Sequence, residues 1–382
     1  MAECLPAEVV ESILWRLPVE SIIKCRCVCK SWYSLISTAN FISNHLRNNN
    51  NTQTVLHQRK IYDKSEGCLL FFDNQNYFRA MLLHLPHPAR LIRIVESCNG
   101  LICFSIGRNY VNDNDIVKFV VCNPSIAHFL TISLPQYMVC PVAYNWCIFG
   151  FGFDERSRDY KILVIRTHGL VGNGIIYSLN SNSWSAITSP IPTKYRATHD
   201  NSVFVNGGFH WSAVERDYNL IMVFDVNGET FGQISLPECL ANSEPHNLTV
   251  KEFGESSIAV IQQTFMHDND TDIWVMKEYG CVESWMKLAS IGKSWISDAR
   301  VLGFRNKNEV LISLLVSGHI ASQNINSKVV KNMMDVDTCP FTLSLHKYVP
   351  SLVLLDKQNY VDVLVAAAPT PTRRKQITKI IM

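Results

Sequence analysis

The chain has 382 residues, of which 47% are hydrophobic and 18% are charged, and its formal net charge is +2. This balance excludes a disordered chain and is typical of a well-folded one with two or three domains, or one small and one large unit. The small net charge argues against nucleic acid as a partner, because a nucleic-acid-binding surface needs a basic excess.

Membrane and secretion signals are not apparent in the sequence. No apolar run reaches the ~18 residues that indicate a membrane span. The N-terminus carries Glu3, Glu8 and Glu11 instead of the basic segment and apolar core of a signal peptide. The 13 cysteines are odd in number and scattered, which without a secretion signal indicates reduced thiols. We therefore expect a cytoplasmic or nuclear protein, or one found in both compartments.

The first forty residues predict two or three short helices separated by proline. Pro6 suits a first helical turn, where its missing N–H has no partner, and Pro18 ends the first helix after Leu17. Two apolar stripes recur at helical spacing: Val10, Ile13, Leu14 and Leu17, then Val28, Trp32, Leu35 and Ile36. A unit this small buries too little apolar surface to be stable on its own. Its cover is predicted to be either another protein or the rest of this chain.

A repeat follows these helices. The asparagine-rich stretch within residues 48–60 predicts a linker. Over residues 61–365, short apolar runs, tight turns and a bulky aromatic recur five times. The aromatic markers Phe78, Phe129, Trp184, Phe231 and Trp285 are spaced by 51, 55, 47 and 54 residues. A weaker sixth copy runs from Ile320 to Val330.

A period near fifty residues with about four strands per unit predicts an all-β domain of the β-propeller type, with five or six blades. One large aromatic per blade would fill the gap between blades. The competing interpretation is a pair of stacked antiparallel sheets. Type I′ turns are predicted at Asn99-Gly100, Asn206-Gly207 and Asn227-Gly228, and a further strand at Leu352 to Leu355. Residues 366–382 predict a basic, flexible tail, either simply solvated or a nuclear localisation signal.

Catalytic and metal signatures are not found. Cys25, Cys27 and Cys29 on one helix would point about 200° apart, which disfavours a metal site. The run from His267 to Asp272 matches the start of a calcium loop but lacks its glycine and closing glutamate, so a solvated turn is favoured. Asp154, Glu155 and Asp159 predict turn chemistry, and His210 beside Trp211 predicts a buried, packed histidine. We therefore predict no catalytic residues, no metal and no cofactor.

The N-terminal pattern resembles the F-box over residues 3–45. The residues in register are Leu5-Pro6, Ile13-Leu14, Arg16-Leu17-Pro18-Val19, the run from Cys27 to Trp32, Leu35-Ile36 and Phe41. Further along, NGLIC, CNP, GFGFD with DYKIL, and VNGGFHW are similar to motifs of the F-box-associated, kelch-like region. The chain thus resembles a plant F-box protein, with an F-box at 1–47, a linker at 48–60, a β domain at 61–365 and a tail at 366–382.

This resemblance implies a substrate-recognition adaptor of a Skp–cullin–F-box ubiquitin ligase. The F-box would dock a Skp-type adaptor protein, and through it a cullin–RING ligase, while the β domain binds an unknown protein target. The residues implied in adaptor binding are Leu5, Pro6, Ile13, Leu14, Leu17, Pro18, Val28, Cys29, Trp32 and Leu35, some of which could face the internal core of the F-box. Two alternatives remain open: a kelch-like propeller enzyme of the oxidase class, and an F-box scaffold that acts outside a cullin ligase.

Overall fold

A computed structural model gives the fold of the chain, which divides into two compact units. The structure describes residues 6–48, 53–59, 68–73, 78–83, 91–107, 118–138, 147–166, 172–198, 202–263, 270–292, 299–314, 319–335, 343–354 and 365–367. The first unit comprises Met1–Asn109, Ile116–Leu134 and His346–Thr370. The second comprises Tyr110–Asp115, Pro135–Leu345 and Pro371–Met382.

Four short helices form the start of the first unit, residues 6–48, here termed the helical module. They are α1 (Ala7–Leu14), α2 (Val19–Cys25), α3 (Lys30–Ile36) and α4 (Ala39–Asn48). Pro6 and Pro18 occupy the N-cap positions of α1 and α2, where a missing N–H costs no hydrogen bond. The prediction of two or three helices omitted α4, because its apolar contacts come from few residues, chiefly Phe41 and Ile42.

The core of the helical module includes a residue from the far end of the chain. Its buried members are Leu14, Val19, Ile22, Ile36, Phe41, Ile42 and Leu352. Ile126 and Val353 are partly buried against the same cluster. The module is therefore covered in part by its own chain, which was one of the two predicted solutions.

Among the described residues, two sheets lie in the first unit, and of their strands only Leu343–Leu345 belong to the second unit. The first sheet has the order β25 (Leu343–Tyr348), β1 (Gln53–Arg59), β2 (Cys68–Asp73), β3 (Phe78–Leu83) and β26 (Val365–Ala367). The second sheet runs β4 (Leu91–Cys98), β5 (Leu101–Gly107), β6 (Lys118–Asn123) and β7 (His128–Ser133).

Strand β1 overturns most of the predicted linker at 48–60. Its residues pair antiparallel with β2, from Thr54 opposite Asp73 to Arg59 opposite Cys68. The hydrogen bonds of this strand come from a partner distant in sequence, which local composition does not reveal. Strand β26 likewise takes the first two residues of the predicted tail, and residues 368–382 lie outside the described part of the chain.

The described residues of the second unit form four more antiparallel sheets. The third is β8 (Cys147–Asp154), β9 (Asp159–Arg166), β10 (Asn173–Ser178) and β11 (Ser183–Ala186). The fourth is β12 (Arg196–Ala197), β13 (Val203–Val205), β14 (Gly208–Glu215), β15 (Tyr218–Asp225) and β16 (Thr230–Ser235), followed by α5 (Glu238–Ala241). The fifth is β17 (Leu248–Phe253), β18 (Ser257–Gln262), β19 (Thr271–Met276) and β20 (Trp285–Ile291). The sixth is β21 (Ala299–Asn306), β22 (Glu309–Leu314), β23 (His319–Asn324) and β24 (Val330–Asp335).

The predicted repeat is confirmed, including its weaker sixth copy, which forms β23 and β24. Neighbouring sheets share cores: residues of the third and fourth sheets form one buried cluster, and residues of the fifth and sixth another. These shared cores bury the sheet faces that would be exposed to solvent in a single sheet, as the propeller prediction required.

Four of the five aromatic markers occupy an equivalent position, near the turn of the hairpin formed by the last two strands of the repeat. Phe129 lies opposite Cys122, Trp184 opposite Tyr177, Phe231 opposite Phe224 and Trp285 opposite Met276. Only Phe129 of these four is fully buried. Trp184, Phe231 and Trp285 are partly buried. Phe231 packs against the cluster that the third and fourth sheets share, and Trp285 packs against a cluster formed by the fourth and fifth sheets. The Trp285 indole N–H also donates to the Ser235 carbonyl of β16 at 3.1 Å, so these two markers lie between neighbouring sheets, as expected.

Two of the three predicted type I′ turns are confirmed. Asn99 and Gly100 have φ of 44° and 82°, and Asn206 and Gly207 have φ of 49° and 75°. The turn at Asn227-Gly228 differs, because its positive φ falls on Glu229. There the Asp225 carboxylate accepts a hydrogen bond from the Gly228 N–H at 2.7 Å, which favours a longer turn.

Candidate functional site

Exposed apolar side chains concentrate on the helical module. Within the described residues, eight large hydrophobic side chains are exposed, and four of them belong to residues 6–48. These four are Val9 at 41%, Ile13 at 48%, Val28 at 63% and Tyr33 at 52% exposure. A single exposed apolar residue is ordinary, but four within one small module make it the candidate docking surface among the described residues.

The predicted contact residues separate into three groups by exposure. Pro6, Ile13, Pro18, Val28 and Cys29 are exposed. Leu17, Trp32 and Leu35 are partly buried against the core of the module. Leu5 lies outside the described residues.

Leu14 is the predicted contact residue that the structure contradicts. Its side chain is 1% exposed and belongs to the core that Ile22, Ile36 and Phe41 also form. The apolar stripe of α1 therefore has an inner side, on Leu14, and an outer side, on Val9 and Ile13. Leu14 supports the helix that presents Ile13 and has no surface to offer a partner.

Two exposed residues were missed by the sequence interpretation. Val9 precedes Ile13 by four residues, so both lie on one side of α1, and that spacing could have identified Val9. Tyr33 was not predicted because it lies outside the apolar stripe of α3, which includes its neighbour Trp32. The guanidinium carbon of Arg26 lies 4.6 Å from the centre of the Tyr33 ring, a cation–π contact that orients the exposed ring.

The three clustered cysteines do not share a helix. Cys25 is the last residue of α2, whereas Cys29 is the N-cap of α3. The Cys29 sulfur lies 3.1 Å from the Ser31 hydroxyl, and this hydrogen bond, followed by that of the Trp32 N–H, lowers the pKa of the Cys29 thiol. No three His, Cys, Asp or Glu side chains among the described residues are placed to hold one metal ion.

A cavity of about 640 Å³ adjoins the turn between α1 and α2. It is lined by Trp15, Leu17, Pro18, His45 and Pro350, among others. His45 is 2% exposed, and its Nε2 lies 3.0 Å from the Leu17 carbonyl oxygen. Because a carbonyl only accepts, Nε2 carries the proton, and burial lowers the pKa of His45. This contact fixes the corner at which Pro18 begins α2.

The histidine and the acidic turn of the β domain have structural roles, as predicted. His210 is fully buried and Trp211 is 4% exposed. Asp154 accepts a hydrogen bond from the Arg156 N–H at 3.0 Å, which closes the turn between β8 and β9. Of the run from His267 to Asp272, which is predicted to be a solvated turn, residues 267–269 lie outside the described part of the chain, and Thr271 and Asp272 begin β19. No helix in the described ranges is long and apolar enough to cross a membrane.

Comparisons with known proteins match both parts of the chain. Residues 3–44 match the F-box domain, and residues 54–355 match the F-box associated beta propeller domain. An F-box/kelch-repeat protein of Arabidopsis thaliana is 28% identical over 322 residues, covering 78% of this chain and 84% of the relative. The F-box protein CPR1 of the same plant is 26% identical over 390 residues, covering 92% of this chain and 89% of the relative.

Proposed function

Because this chain belongs to the F-box proteins with an F-box associated β-propeller domain, we propose that it is a substrate-recognition adaptor of a Skp–cullin–F-box ubiquitin ligase. In this role the helical module binds a Skp-type adaptor protein, which links the chain to a cullin–RING ligase. The β-propeller binds a protein target, and ubiquitin transfer uses catalytic groups of other subunits. The chain itself needs no cofactor, and we place it in the cytoplasm, the nucleus or both.

The observation that supports adaptor docking is the outward position of Ile13 and Val28 on the segment that matches the F-box domain. Covering apolar surface contributes roughly 25 cal/mol per Å², so large exposed side chains are efficient binding anchors. A few such anchors usually carry most of the binding energy of an interface. Helix faces that fill a partner's groove are a recurring mode of recognition.

The contribution of this chain to ubiquitination is proximity. A target bound to the propeller and an enzyme bound through the adaptor react within one complex, so a bimolecular encounter becomes an intramolecular one. Holding the reactants together in this way lowers the entropic part of the barrier. Specificity for the target then depends on the propeller, and ligase recruitment depends on the helical module.

The central test compares the same substitution at two exposed valines. Val28→Asp places a charge on the helical module, where Val28 is 63% exposed. Val329→Asp, at a position that is 49% exposed between β23 and β24, is the matched control. Binding of the purified full chain to a purified Skp-type adaptor is measured by calorimetry for the wild type and both variants.

We expect Val28→Asp to weaken adaptor binding by about tenfold or more, equivalent to about 1.4 kcal/mol, while Val329→Asp binds as the wild type does. Equal binding by all three chains would contradict docking through this surface. Cullin content of the complex recovered from plant cells then separates a ligase adaptor from a scaffold: a scaffold would retain the Skp-type protein without the cullin.

A further inference from the structure

Residues 349–354, the C-terminal strap, follow β25 and lie between the helical module and the second sheet. Three of their side chains are almost fully buried: Ser351 and Leu352 at 0% exposure and Leu354 at 2%. The predicted strand at Leu352 to Leu355 is wrong, because residues 351–354 form an irregular stretch ending in a turn. Irregular backbone is seldom so buried, since its polar groups need partners outside regular secondary structure.

One buried side chain at the end of β6 supplies those partners. Asn123 is 0% exposed, and its Nδ2 lies 3.0 Å from the Ser351 carbonyl oxygen, 3.0 Å from the Ser351 hydroxyl oxygen and 2.8 Å from the Val353 carbonyl oxygen, so its two N–H groups are shared among three acceptors. The Tyr348 hydroxyl donates to Asn123 Oδ1 at 3.1 Å and lies 2.7 Å from the Ser125 hydroxyl. A single amide thus fixes two carbonyls and a hydroxyl of the C-terminal strap.

The second sheet is shaped to receive the C-terminal strap at its first turn. A Cβ atom on Gly100 would lie 2.1 Å from the Ser351 hydroxyl oxygen and 2.9 Å from the Val349 carbonyl oxygen. The Ser351 hydroxyl also donates to the Gly100 carbonyl at 3.3 Å. The absence of a side chain at Gly100 therefore allows the C-terminal strap to lie directly on the turn.

The other side of the C-terminal strap is apolar and faces the helices. Leu352 belongs to the module's buried cluster, which Leu14, Ile22, Ile36 and Phe41 share. Val353 packs against the same cluster, as does Ile126 from the turn that follows Asn123. The strap thus has a hydrogen-bonded side on the second sheet and an apolar side in the module.

We infer that the C-terminal strap positions the helices of the adaptor-binding module from beneath, so that the shape of the docking surface depends on residues outside 6–48. Leu352 acts by direct contact with the core beneath the helices, and Asn123 acts through the strap. The statement about docking rests on the proposed function. The positioning of the helices does not depend on it and can be tested separately.

The test uses four variants of the full chain. Leu352→Ala removes the strap's contact with the helices, and Asn123→Ala removes its anchor on the sheet without changing a residue of the module's core. Leu163→Ala is the matched control, because Leu163 is also 0% exposed but belongs to β9 in the second unit. Amide hydrogen exchange is followed by mass spectrometry in α1 to α4 and in the third sheet, and adaptor binding is measured across a urea series.

We expect Leu352→Ala and Asn123→Ala to speed exchange in α1 to α4 by about tenfold or more, and to lower the urea concentration at which adaptor binding is lost. Leu163→Ala should speed exchange in the third sheet and leave the helices as they are. Leu352→Met, which keeps the volume of the side chain, should behave like the wild type.

The inference is overturned if both strap variants leave exchange in the helices unchanged, or if Leu163→Ala accelerates it as much as they do. A purely local role for Asn123 would loosen the strap and the second sheet but not the helices, which also contradicts the inference. Should the wild-type chain fail to bind the adaptor, the proposed function fails, while the exchange rates still decide whether the C-terminal strap positions the helices.

Discussion

His210 Nε2 lies 2.6 Å from the Tyr279 hydroxyl oxygen, and this contact joins β14 of the fourth sheet to the turn that follows β19 of the fifth. The other ring nitrogen, Nδ1, faces the carbonyl oxygens of Gly208 at 3.0 Å and Val203 at 3.3 Å. Carbonyls only accept, so Nδ1 carries the proton and Nε2 accepts from Tyr279. The three contacts fit a neutral imidazole, and burial lowers the pKa of His210 to about 4.

We predict that His210 makes the second unit sensitive to mild acid. An unfolded histidine has a pKa near 6.5, so between about pH 6.5 and 4 the unfolded chain binds a proton that the folded chain does not. Stability therefore falls as pH falls through this window. His210→Phe should remove about 2 kcal/mol of the difference in unfolding free energy between pH 7.5 and pH 4.5, measured by urea denaturation at each pH.

His246→Phe, at an exposed position of the same unit, controls for the introduction of a phenylalanine. If His210→Phe lost stability with acid as steeply as the wild type, the imidazole would have to be charged in the folded state. Nε2 would then donate to the Tyr279 hydroxyl in acid instead of accepting from it.

A second prediction concerns Gly100, whose φ of +82° is almost the same as the +84° of Gly280. Alanine at either position adopts a left-handed backbone, which costs about 1–2 kcal/mol. Only at Gly100 would the new Cβ also overlap the Ser351 hydroxyl, whereas at Gly280 no heavy atom lies within 4 Å. Gly100→Ala should therefore lower the free energy of unfolding by about 1–3 kcal/mol more than Gly280→Ala.

The two glycines have almost the same φ, so backbone strain should be equal in both variants. The difference between them then measures the overlap of the new Cβ with the C-terminal strap. Thermal and urea unfolding of both variants provide the measurement, with hydrogen exchange in β5 as a local probe. Equal destabilisation by the two alanines would show that the C-terminal strap moves away from Gly100 at no cost.

The Asn99-Gly100 pair also illustrates what the sequence can predict. Turn chemistry is local, and both φ values follow from the residue types of the dipeptide. The repeat is also visible, because each copy keeps its apolar run, turn and aromatic within about 15 residues. The propeller and the F-box segment were identified from such short patterns.

The features that escaped prediction depend on contacts between distant parts of the chain. Residues 53–59 form a strand because β2 pairs with them, and their composition resembles that of a linker. The apolar run around Leu352 predicts a strand. In the structure Leu352 is buried because it packs in the same core as Leu14, which is distant in sequence. For the same reason the helical stripe identified Leu14 and Ile13 together but could not tell which one faces a partner.

A third prediction separates these two neighbours in α1. Leu14 is 1% exposed and Ile13 is 48% exposed. Leu14→Ala should leave a cavity and destabilise the helical module by about 2–5 kcal/mol. Ile13→Ala should change stability by less than about 0.5 kcal/mol and instead weaken binding to the Skp-type adaptor.

Hydrogen exchange in α1 to α4 reports the stability of the module, and calorimetry with the purified adaptor reports binding. Loss of binding in Leu14→Ala is informative only when exchange shows that the helices remain folded. A variant Ile13→Ala with wild-type affinity would remove Ile13 from the docking surface, and Val9 would be the next residue to test.

The last prediction compares two ion pairs of the second unit that differ in burial. Asp159 and Lys161 are 2.8 Å apart, with side-chain exposures of 3% and 17%. Asp272 and Lys287 are 2.7 Å apart, with exposures of 24% and 43%. Asp159 also accepts hydrogen bonds from the Ser178 hydroxyl at 2.5 Å and the Asn180 N–H at 2.9 Å, which fasten the turn after β10 to β9.

Removing the charge with Asp159→Asn leaves Lys161 partly buried without its partner and disturbs both acceptors, so we expect a loss of about 2–4 kcal/mol in unfolding free energy. Asp272→Asn breaks a pair that water already screens, and its cost should stay below about 1 kcal/mol. The difference should persist in 0.5 M salt, because a buried pair is screened much less than an exposed one. If salt abolished the difference, the Asp159 carboxylate would act through solvent-screened attraction, and the hydrogen bonds from Ser178 and Asn180 would contribute little to holding the turn.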